Sequence, residues 1–500
     1  MHRPCWVLVV ATGALLISGA RLHAQQGERF VFALTQEGQV LGIADSDIAK
    51  FMGIPYAAPP IGAARWRAPA KAPERAEILT ANRFGPSCPQ ASPQAFEAPA
   101  GNSEDCLTIN VFTPARMDER LPVMVWIHGG GLVSGSAADP LYDGSALARD
   151  GLTVVTFNYR LGALGWLAGA SLSKDDEDEG IGNDGMKDQI AALRWVHDNI
   201  NAFGGDPDNV TIFGSSSGAN AVARLMASRR ATGLFQKAII QSASFRELAR
   251  DRDAAASAVQ AFAQVLGVSQ LEMRQSELKK ILAVQTKQAD DPALRPAYTI
   301  DGTSVDEQLQ DAIAAGHEQH IPLLIGSNGF PYTPDPQSMP AALQQQLLPM
   351  TSGLTPESPG QKDAPARLRT DWVFSEPTRF VARSHAGHGS ATYRYLFDYV
   401  PERAEPPEVG EEGQEVRFVF GTLGVRAGLY SQRDREVSNT MRTYWTNFAK
   451  YGDPNGAGLP AWRPQSERDD LLIISNAGIR CGPDPMKARL DVIEQVGSRR

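Results

Sequence analysis

The sequence predicts an α/β fold in which helices cover both faces of a large, mostly parallel central sheet. Near-continuous apolar runs, typical of strands buried on both faces, alternate along the chain with segments of helical periodicity. A repeated strand–helix–strand order favours parallel pairing. The candidate strands are Leu121–His128, Leu152–Tyr159, Asn209–Gly214, Lys237–Ser242, Ile321–Asn328 and Thr392–Tyr399.

Two further segments fit this sheet. Residues 30–43, "FVFALTQEGQVLGI", carry turn signals between strand-like runs and predict a hairpin at the sheet edge. Met186–Phe203 places apolar side chains on one helical stripe, and Gly204 and Gly205 end that helix. The stripe consists of Ile190, Leu193, Val196 and Ile200.

The composition is that of a globular protein without a nucleic-acid partner. The chain has 500 residues, of which 42% are hydrophobic and 21% charged. A net charge of −9 argues against binding to a phosphate backbone, because such binding needs basic patches. We find no internal repeat and expect a single domain over residues 25–500. Tyr332–Arg367, rich in Pro, Gln and Ser, is predicted as loop and short helix.

Residues 1–24 are predicted to be a signal peptide. Arg3 supplies positive charge, Cys5–Ala20 is an apolar core, and the small residue Ala24 precedes a cleavage site at Gln25. The apolar run is shorter than the about 20 residues of a membrane helix, and no later stretch competes. We therefore expect export to the periplasm or the medium, with no stable membrane span.

Three cysteines remain after removal of the signal peptide. Cys88 and Cys106 are close enough in sequence to close a short loop in an oxidising compartment. Cys481 is left over, as a free thiol or, less favourably, in an intermolecular pair. No Cys/His cluster has the spacing of a metal site, so we predict neither a metal nor a cofactor.

The run Gly214–Gly218, "GSSSG", follows a predicted strand and opens a helix. This is the context of a nucleophile elbow, in which glycines permit a tight turn that exposes the central serine, here Ser216. A serine hydroxyl needs a base to become a good nucleophile.

A second motif, "HGGG" at His128–Gly131, directly follows another predicted strand. Glycines allow backbone N–H groups to approach the oxyanion of a tetrahedral intermediate. The motif precedes the elbow in the chain, as the α/β-hydrolase layout requires.

With these motifs the chain resembles the type-B carboxylesterases, the family of cholinesterases and bacterial para-nitrobenzyl esterases. The resemblance covers nearly all of the mature chain and implies an α/β-hydrolase fold acting on small-molecule esters. It is carried by the blocks Phe51–Trp66, Ser103–Pro114, Trp126–Ser136, Phe157–Trp166, Ala202–Asn220, Pro322–Asn328 and Arg417–Gly424.

The resemblance implies a role for several residues. Ser216 falls on the nucleophile, and Gly130, Gly131 and Ser217 fall on the three oxyanion-hole donors. Cys88 and Cys106 fall on the family's N-terminal disulfide. Structural ion pairs are implied for Arg65 with Glu104 and for Arg160 with Asp188.

Both partners of the serine are replaced. In the family, the acid stands five residues after a glycine that corresponds to Gly326, and this position holds Pro331. The family's histidine position holds Glu412, in "EGQEVRFVFG". A shift of the alignment by one or two residues does not restore the acid, and Asp335 is the nearest candidate. The elbow also differs, because Ser215 stands where the family usually has an acidic residue.

Two functions stay open from the sequence. In the first, Glu412 takes the proton from Ser216 and the protein is a weak or rewired esterase. In the second, the protein is an inactive homologue that binds an apolar ligand or a protein partner, as do the adhesion proteins that share this fold. We expect structural or surface roles for His128, His197, His317, His320, His385 and His388.

Overall fold

The structure is a computed structural model that describes residues 29–45, 47–91, 99–117, 119–169, 172, 181–289, 291–329, 339, 341–347, 364–402, 413–425 and 430–497. The predicted signal peptide, Pro331, Asp335 and Glu412 lie outside these residues. Among the described residues, no helix combines the length and the apolar character needed to span a bilayer.

Thirteen strands form one sheet in the described part of the chain. They are β1 (Arg29–Thr35), β2 (Gly38–Ala44), β3 (Ile48–Pro55), β4 (Leu79–Thr80), β5 (Thr108–Pro114), β6 (Leu121–Ile127), β7 (Thr153–Phe157), β8 (Gly205–Ser215), β9 (Lys237–Gln241), β10 (Leu323–Asn328), β11 (Thr392–Asp398), β12 (Asp470–Ser475) and β13 (Gly478–Pro483).

The strand order is β1-β2-β3-β5-β7-β6-β8-β9-β10-β11-β12-β13, with β4 beside β2. The strands from β7 to β12 are all parallel, whereas the strands at both edges pair antiparallel. All six predicted strands occur, as β6 to β11. The predicted hairpin is also confirmed, because β1 and β2 form an antiparallel pair at one edge.

The helices of the described residues surround this sheet. They are α1 (Ser145–Arg149), α2 (Gly162–Trp166), α3 (Asp184–Asn199), α4 (Ser217–Met226), α5 (Arg252–Leu266), α6 (Leu278–Gln285), α7 (Leu309–Ala315), α8 (Ala341–Leu347), α9 (Ala364–Thr370), α10 (Glu376–Gly387), α11 (Gln414–Phe420), α12 (Gln432–Tyr451) and α13 (Lys487–Gly497).

The helix predicted over Met186–Phe203 is confirmed with shifted ends. Helix α3 starts at Asp184 and stops at Asn199, and a 3₁₀ turn continues to Phe203. Gly204 then adopts φ +80°, a left-handed conformation that glycine tolerates without strain, and the chain enters β8.

Strand β6 shows why helices are needed on both faces of the sheet. Val123 and Val125 pack into a core that also holds side chains of α3 and α4. Met124 and Trp126, which alternate with them, pack into a second core with side chains of α1, α11 and α12. A strand whose successive residues are all apolar must be covered on each side.

Candidate active site

The elbow predicted at Ser216 is present at the carboxyl end of β8. Strand β8 ends at Ser215, helix α4 begins at Ser217, and Ser216 between them has φ +57° and ψ −128°. A non-glycine residue in this region costs on the order of 1–3 kcal/mol, and such strain concentrates at functional sites. The Ser216 N–H donates to the carbonyl oxygen of Gln241 on β9 at 3.0 Å, which fixes the turn.

The glycines on either side of the elbow allow close packing of backbone. A Cβ at Gly214 would stand 2.6 Å from the backbone of Gly218, and one at Gly218 would stand 2.1 Å from the carbonyl oxygen of Ile127. Both distances are too short for a side chain. Glycine is therefore required at both positions, because β8, α4 and the end of β6 are in close backbone contact there.

The glycine loop that follows β6 lies directly beside the elbow. A Cβ at Gly129 would stand 3.2 Å from the Cβ of Ser216. Gly130 has φ +113°, and its carbonyl oxygen accepts hydrogen bonds from Val133 and Ser134, both at 3.1 Å. These bonds hold the loop through a carbonyl group and do not use the Gly130 N–H.

Ser216, Ser217 and Gly131 border the same cavity, of about 760 Å³. Ser217 is the first residue of α4, and the first N–H groups of a helix have no acceptor within it. The arrangement thus brings the predicted nucleophile together with two of its predicted oxyanion donors at one opening. A carbonyl compound in this cavity can meet a hydroxyl and backbone donors at once.

The Ser216 hydroxyl has no hydrogen-bond partner within the part of the chain that the structure describes. His128, in the glycine loop, donates from Nδ1 to the carbonyl oxygen of Gly129 at 2.9 Å and stacks on Tyr159. Burial lowers the pKa of His128 to about 4, so the ring is neutral at pH 7. His128 therefore supports the loop and has no bond to the serine.

The other described histidines lie far from the elbow. His197 and His317 are exposed, and each is hydrogen-bonded to a nearby carboxylate. His320, His385 and His388 cluster near the amino end of β10. The elbow lies at the carboxyl end of the parallel strand β8. These three rings are therefore at the opposite ends of the parallel strands.

Helix α11 approaches the elbow from the segment that the sequence assigns to the missing histidine. A Cβ at Gly413, the residue before α11, would stand 3.4 Å from the Ser215 hydroxyl oxygen. Glu415 on α11 is fully buried, with one carboxylate oxygen 3.4 Å from the Ser242 hydroxyl oxygen, and burial raises its pKa. The sequence alone does not indicate that Glu415 is buried, because its neighbours Gln414 and Arg417 are also polar.

Four arginines line the cavity, and none of them is predicted there from the sequence. One carboxylate, Glu247, accompanies them among the described lining residues. Arg246 and Arg250 belong to one segment, whereas Arg224 and Arg295 come from others, so no local pattern could reveal the whole cluster.

Arg224 is the most buried of these arginines. Its guanidinium lies over the ring of Tyr298, 4.2 Å from the centroid, and Nη1 is buried with no hydrogen-bond partner among the described residues. Burial lowers the pKa of Arg224. A buried cation with an unused donor favours an anionic group nearby.

The scaffold contacts implied by the sequence are also present. Cys88 and Cys106 form a disulfide, whereas Cys481 on β13 is a free thiol. The ion pair between Arg65 and Glu104 has an N–O distance of 2.5 Å. The fully buried pair of Arg160 and Asp188 has an N–O distance of 2.7 Å.

The sequence of this chain matches a known protein family and several of its members over most of their length. Residues 31–334 and 332–480 match the profile described as the carboxylesterase family. The para-nitrobenzyl esterase of Bacillus subtilis (strain 168) is 36% identical over 485 residues, which cover 91% of this chain and 96% of that protein. The fumonisin B1 esterase of Sphingopyxis macrogoltabida is 32% identical, covering 97% of this chain and 93% of that protein.

The fold is also similar to that of solved esterase structures. A PNB esterase structure superposes with a TM-score of 0.79 at 35% identity and covers 92% of this chain and 99% of its own. A carboxylesterase of Geobacillus stearothermophilus superposes with a TM-score of 0.81 at 30% identity and the same coverage.

Proposed function

Because the chain belongs to the carboxylesterase family, we propose that it hydrolyses carboxylic esters with Ser216 as the nucleophile. The observation that carries this proposal is the strained φ of +57° at Ser216, on a turn that opens into a 760 Å³ cavity. The hydroxyl attacks the ester carbonyl, the alcohol leaves, and water then releases the acid from the acyl-serine. The N–H groups of Gly130, Gly131 and Ser217 stabilise the oxyanion.

The base in this proposal is Glu412. It occupies the family's histidine position, and its neighbour Gly413 lies beside Ser215. A carboxylate has a reference pKa of about 4.3, two units below that of histidine, so we expect a slow enzyme.

The substrate is a small-molecule ester that carries negative charge. Four arginines and one glutamate are among the described lining residues, and Arg246 pairs with Glu376 behind the cavity wall. The three other arginines outnumber Glu247 and give the cavity an excess of positive charge. Nη1 of Arg224 is also a buried donor that has no acceptor among the described residues. An acidic group on the acyl or alcohol side would pair with that donor through a charge-assisted hydrogen bond.

A fluorophosphonate probe tests the nucleophile directly, because it labels only an activated serine. We expect one label per chain, loss of labelling in Ser216→Ala, and retained labelling in the matched variant Ser215→Ala. The variants should differ in the same way in hydrolysis of a short-chain nitrophenyl ester.

The second candidate function is that of an inactive homologue that uses the cavity for binding. Pro331 and Glu412 at the acid and histidine positions favour it, because without its partners the serine has lost the larger part of its catalytic power. Absence of labelling at every pH between 5 and 9 would support this candidate and contradict the esterase.

The protein acts outside the cytoplasm in this proposal. The signal-like residues 1–24 support export, and the Cys88–Cys106 disulfide suits an oxidising compartment. The continuous sheet from β1 to β13 supports one domain over residues 25–500. A mature chain that begins at Gln25 after expression in a secreting host would bear out the cleavage site.

A further inference from the structure

A cluster of one glutamate and three histidines lies at the amino ends of the parallel strands, whereas Ser216 lies at their carboxyl ends. Glu318 and His320 are in the segment that enters β10, which begins at Leu323. His385 and His388 are at the carboxyl end of α10. Six residues of β10 span about 20 Å, so this cluster, which we call the Glu318 cluster, has no part in the proposed hydrolysis.

Glu318 is buried, and only one of its two carboxylate oxygens has hydrogen-bond partners among the described residues. Its Oε1 lies 2.9 Å from His385 Nδ1 and 3.4 Å from His388 Nδ1. Its Oε2 is buried with no hydrogen-bond partner among the described residues, although the residue is only 5% exposed. An unpaired carboxylate oxygen in the interior is costly, so Oε2 is suited to an external cation.

His385 serves to orient this carboxylate. Its Nδ1 faces Glu318 and its Nε2 lies 2.8 Å from the carbonyl oxygen of Ile321. Both ring nitrogens therefore face oxygen atoms of the protein, and neither is directed at a metal. A hydrogen bond from a neighbouring residue to a metal ligand fixes the orientation of that ligand.

His320 has the tautomer that a ligand needs. Its Nε2 lies 3.1 Å from the carbonyl oxygen of Gly316, and a carbonyl can only accept, so Nε2 carries the hydrogen. Nδ1 then presents its lone pair. Metal-binding histidines commonly donate their second N–H to a carbonyl group in this way.

We propose that Glu318, His320 and His388 bind one divalent transition metal, with Zn²⁺ as the best fit. One ligand atom from each lies within 4.8 Å of the others. Ligands around a tetrahedral Zn²⁺ stand about 3.4 Å apart, because each bond is about 2.0–2.1 Å long. The ligand atoms must therefore move together by up to about 1.4 Å when the metal binds, and the exposed His320 and half-buried His388 are the side chains that would rotate.

The donor set selects the metal. Two imidazoles and one carboxylate suit Zn²⁺ and other late transition metals, whereas Mg²⁺ and Ca²⁺ prefer oxygen ligands alone. A water molecule completes the coordination. The metal joins the segment before β10 to the end of α10, which are 70 residues apart at Glu318 and His388, and so stabilises the folded state.

Calorimetric titration of untagged, chelator-treated protein with ZnCl₂ tests this site. We expect one Zn²⁺ per chain and a rise in Tm on its addition. His320→Ala and His388→Ala should each weaken binding at least tenfold. His317→Ala is the matched control, because His317 is an exposed histidine of the same segment that pairs with Glu307, and it should bind as the wild type does.

Three results would overturn the metal site: no stoichiometric binding, equal affinity in His320→Ala and the wild type, or an equal loss in His317→Ala. Circular dichroism of each variant establishes that the fold is retained. The titration does not measure hydrolysis, so its outcome is independent of the proposed esterase activity.

Discussion

Gly413 lies directly beside Ser215, since a Cβ added at Gly413 would stand 3.4 Å from the Ser215 hydroxyl oxygen. The chain enters Gly413 from Glu412, which is outside the described residues. This contact brings the segment in which the family has its histidine against the nucleophile elbow.

Glu412→Gln should lower kcat/KM for a nitrophenyl ester by about 100-fold, the lower end of the usual contribution of a general base. The wild-type rate should rise with pH through an acidic pKa, because the base must be ionised, and this rise should vanish in the variant. Glu411→Gln is the control and should keep both the rate and the pH profile. An unchanged rate in Glu412→Gln would remove Glu412 from the mechanism.

The double substitution Pro331→Glu and Glu412→His should restore the family's acid and base. We expect kcat for a short-chain nitrophenyl ester to increase by at least 100-fold, because loss of the histidine in a serine hydrolase costs on the order of 10⁶ in kcat. The same double substitution combined with Ser216→Ala should stay inactive. No gain in the double variant would show that the cavity or the donors are also altered.

Arg224→Met should weaken binding of a carboxylate-bearing ester and leave a neutral ester of similar size nearly unaffected. A hydrogen bond to a charged group contributes about 1.5–3 kcal/mol, so KM for the anionic ester should rise about 10- to 100-fold. Arg229→Met, on an exposed arginine that pairs with Asp306, is the control. Equal losses on both esters would mean that Arg224 acts through packing on Tyr298.

His128 should make the protein less stable in acid. Its pKa is about 4 in the folded state and about 6.5 when unfolded, so the unfolded state binds more protons between these values. The free energy of unfolding should therefore fall by about 2 kcal/mol between pH 7 and pH 5 from this residue alone.

Urea unfolding at both pH values measures that effect. His128→Phe should lose this part of the pH dependence, whereas the exposed control His197→Gln should retain it. If His128→Phe and the wild type show the same difference between pH 7 and pH 5, the buried ring is not the source.

The Cys88–Cys106 disulfide closes a loop with a sequence separation of 18 residues. Restricting a loop of this size in the unfolded chain contributes about 3 kcal/mol. Cys88→Ala with Cys106→Ala should lower Tm, and a reductant should lower Tm in the wild type only. A wild-type Tm that does not respond to complete reduction would contradict a stabilising role.

The central strands, the elbow and the glycine loop are all predictable from short stretches of sequence. Each of the runs that became β6 to β11 contains adjacent apolar residues, and the glycines at Gly214 and Gly218 are spaced for the turn at Ser216. These features are local, because strand burial and turn conformation depend on residues that are neighbours in the chain.

Contacts between side chains that are distant in sequence become visible only in the folded chain. The arginines around the cavity come from four separate positions, and Glu318 meets His388 across 70 residues, so spacing in the sequence predicted neither the charged cavity nor a metal site. Contacts of this kind depend on the path of the chain across the whole sheet. No local periodicity records that path.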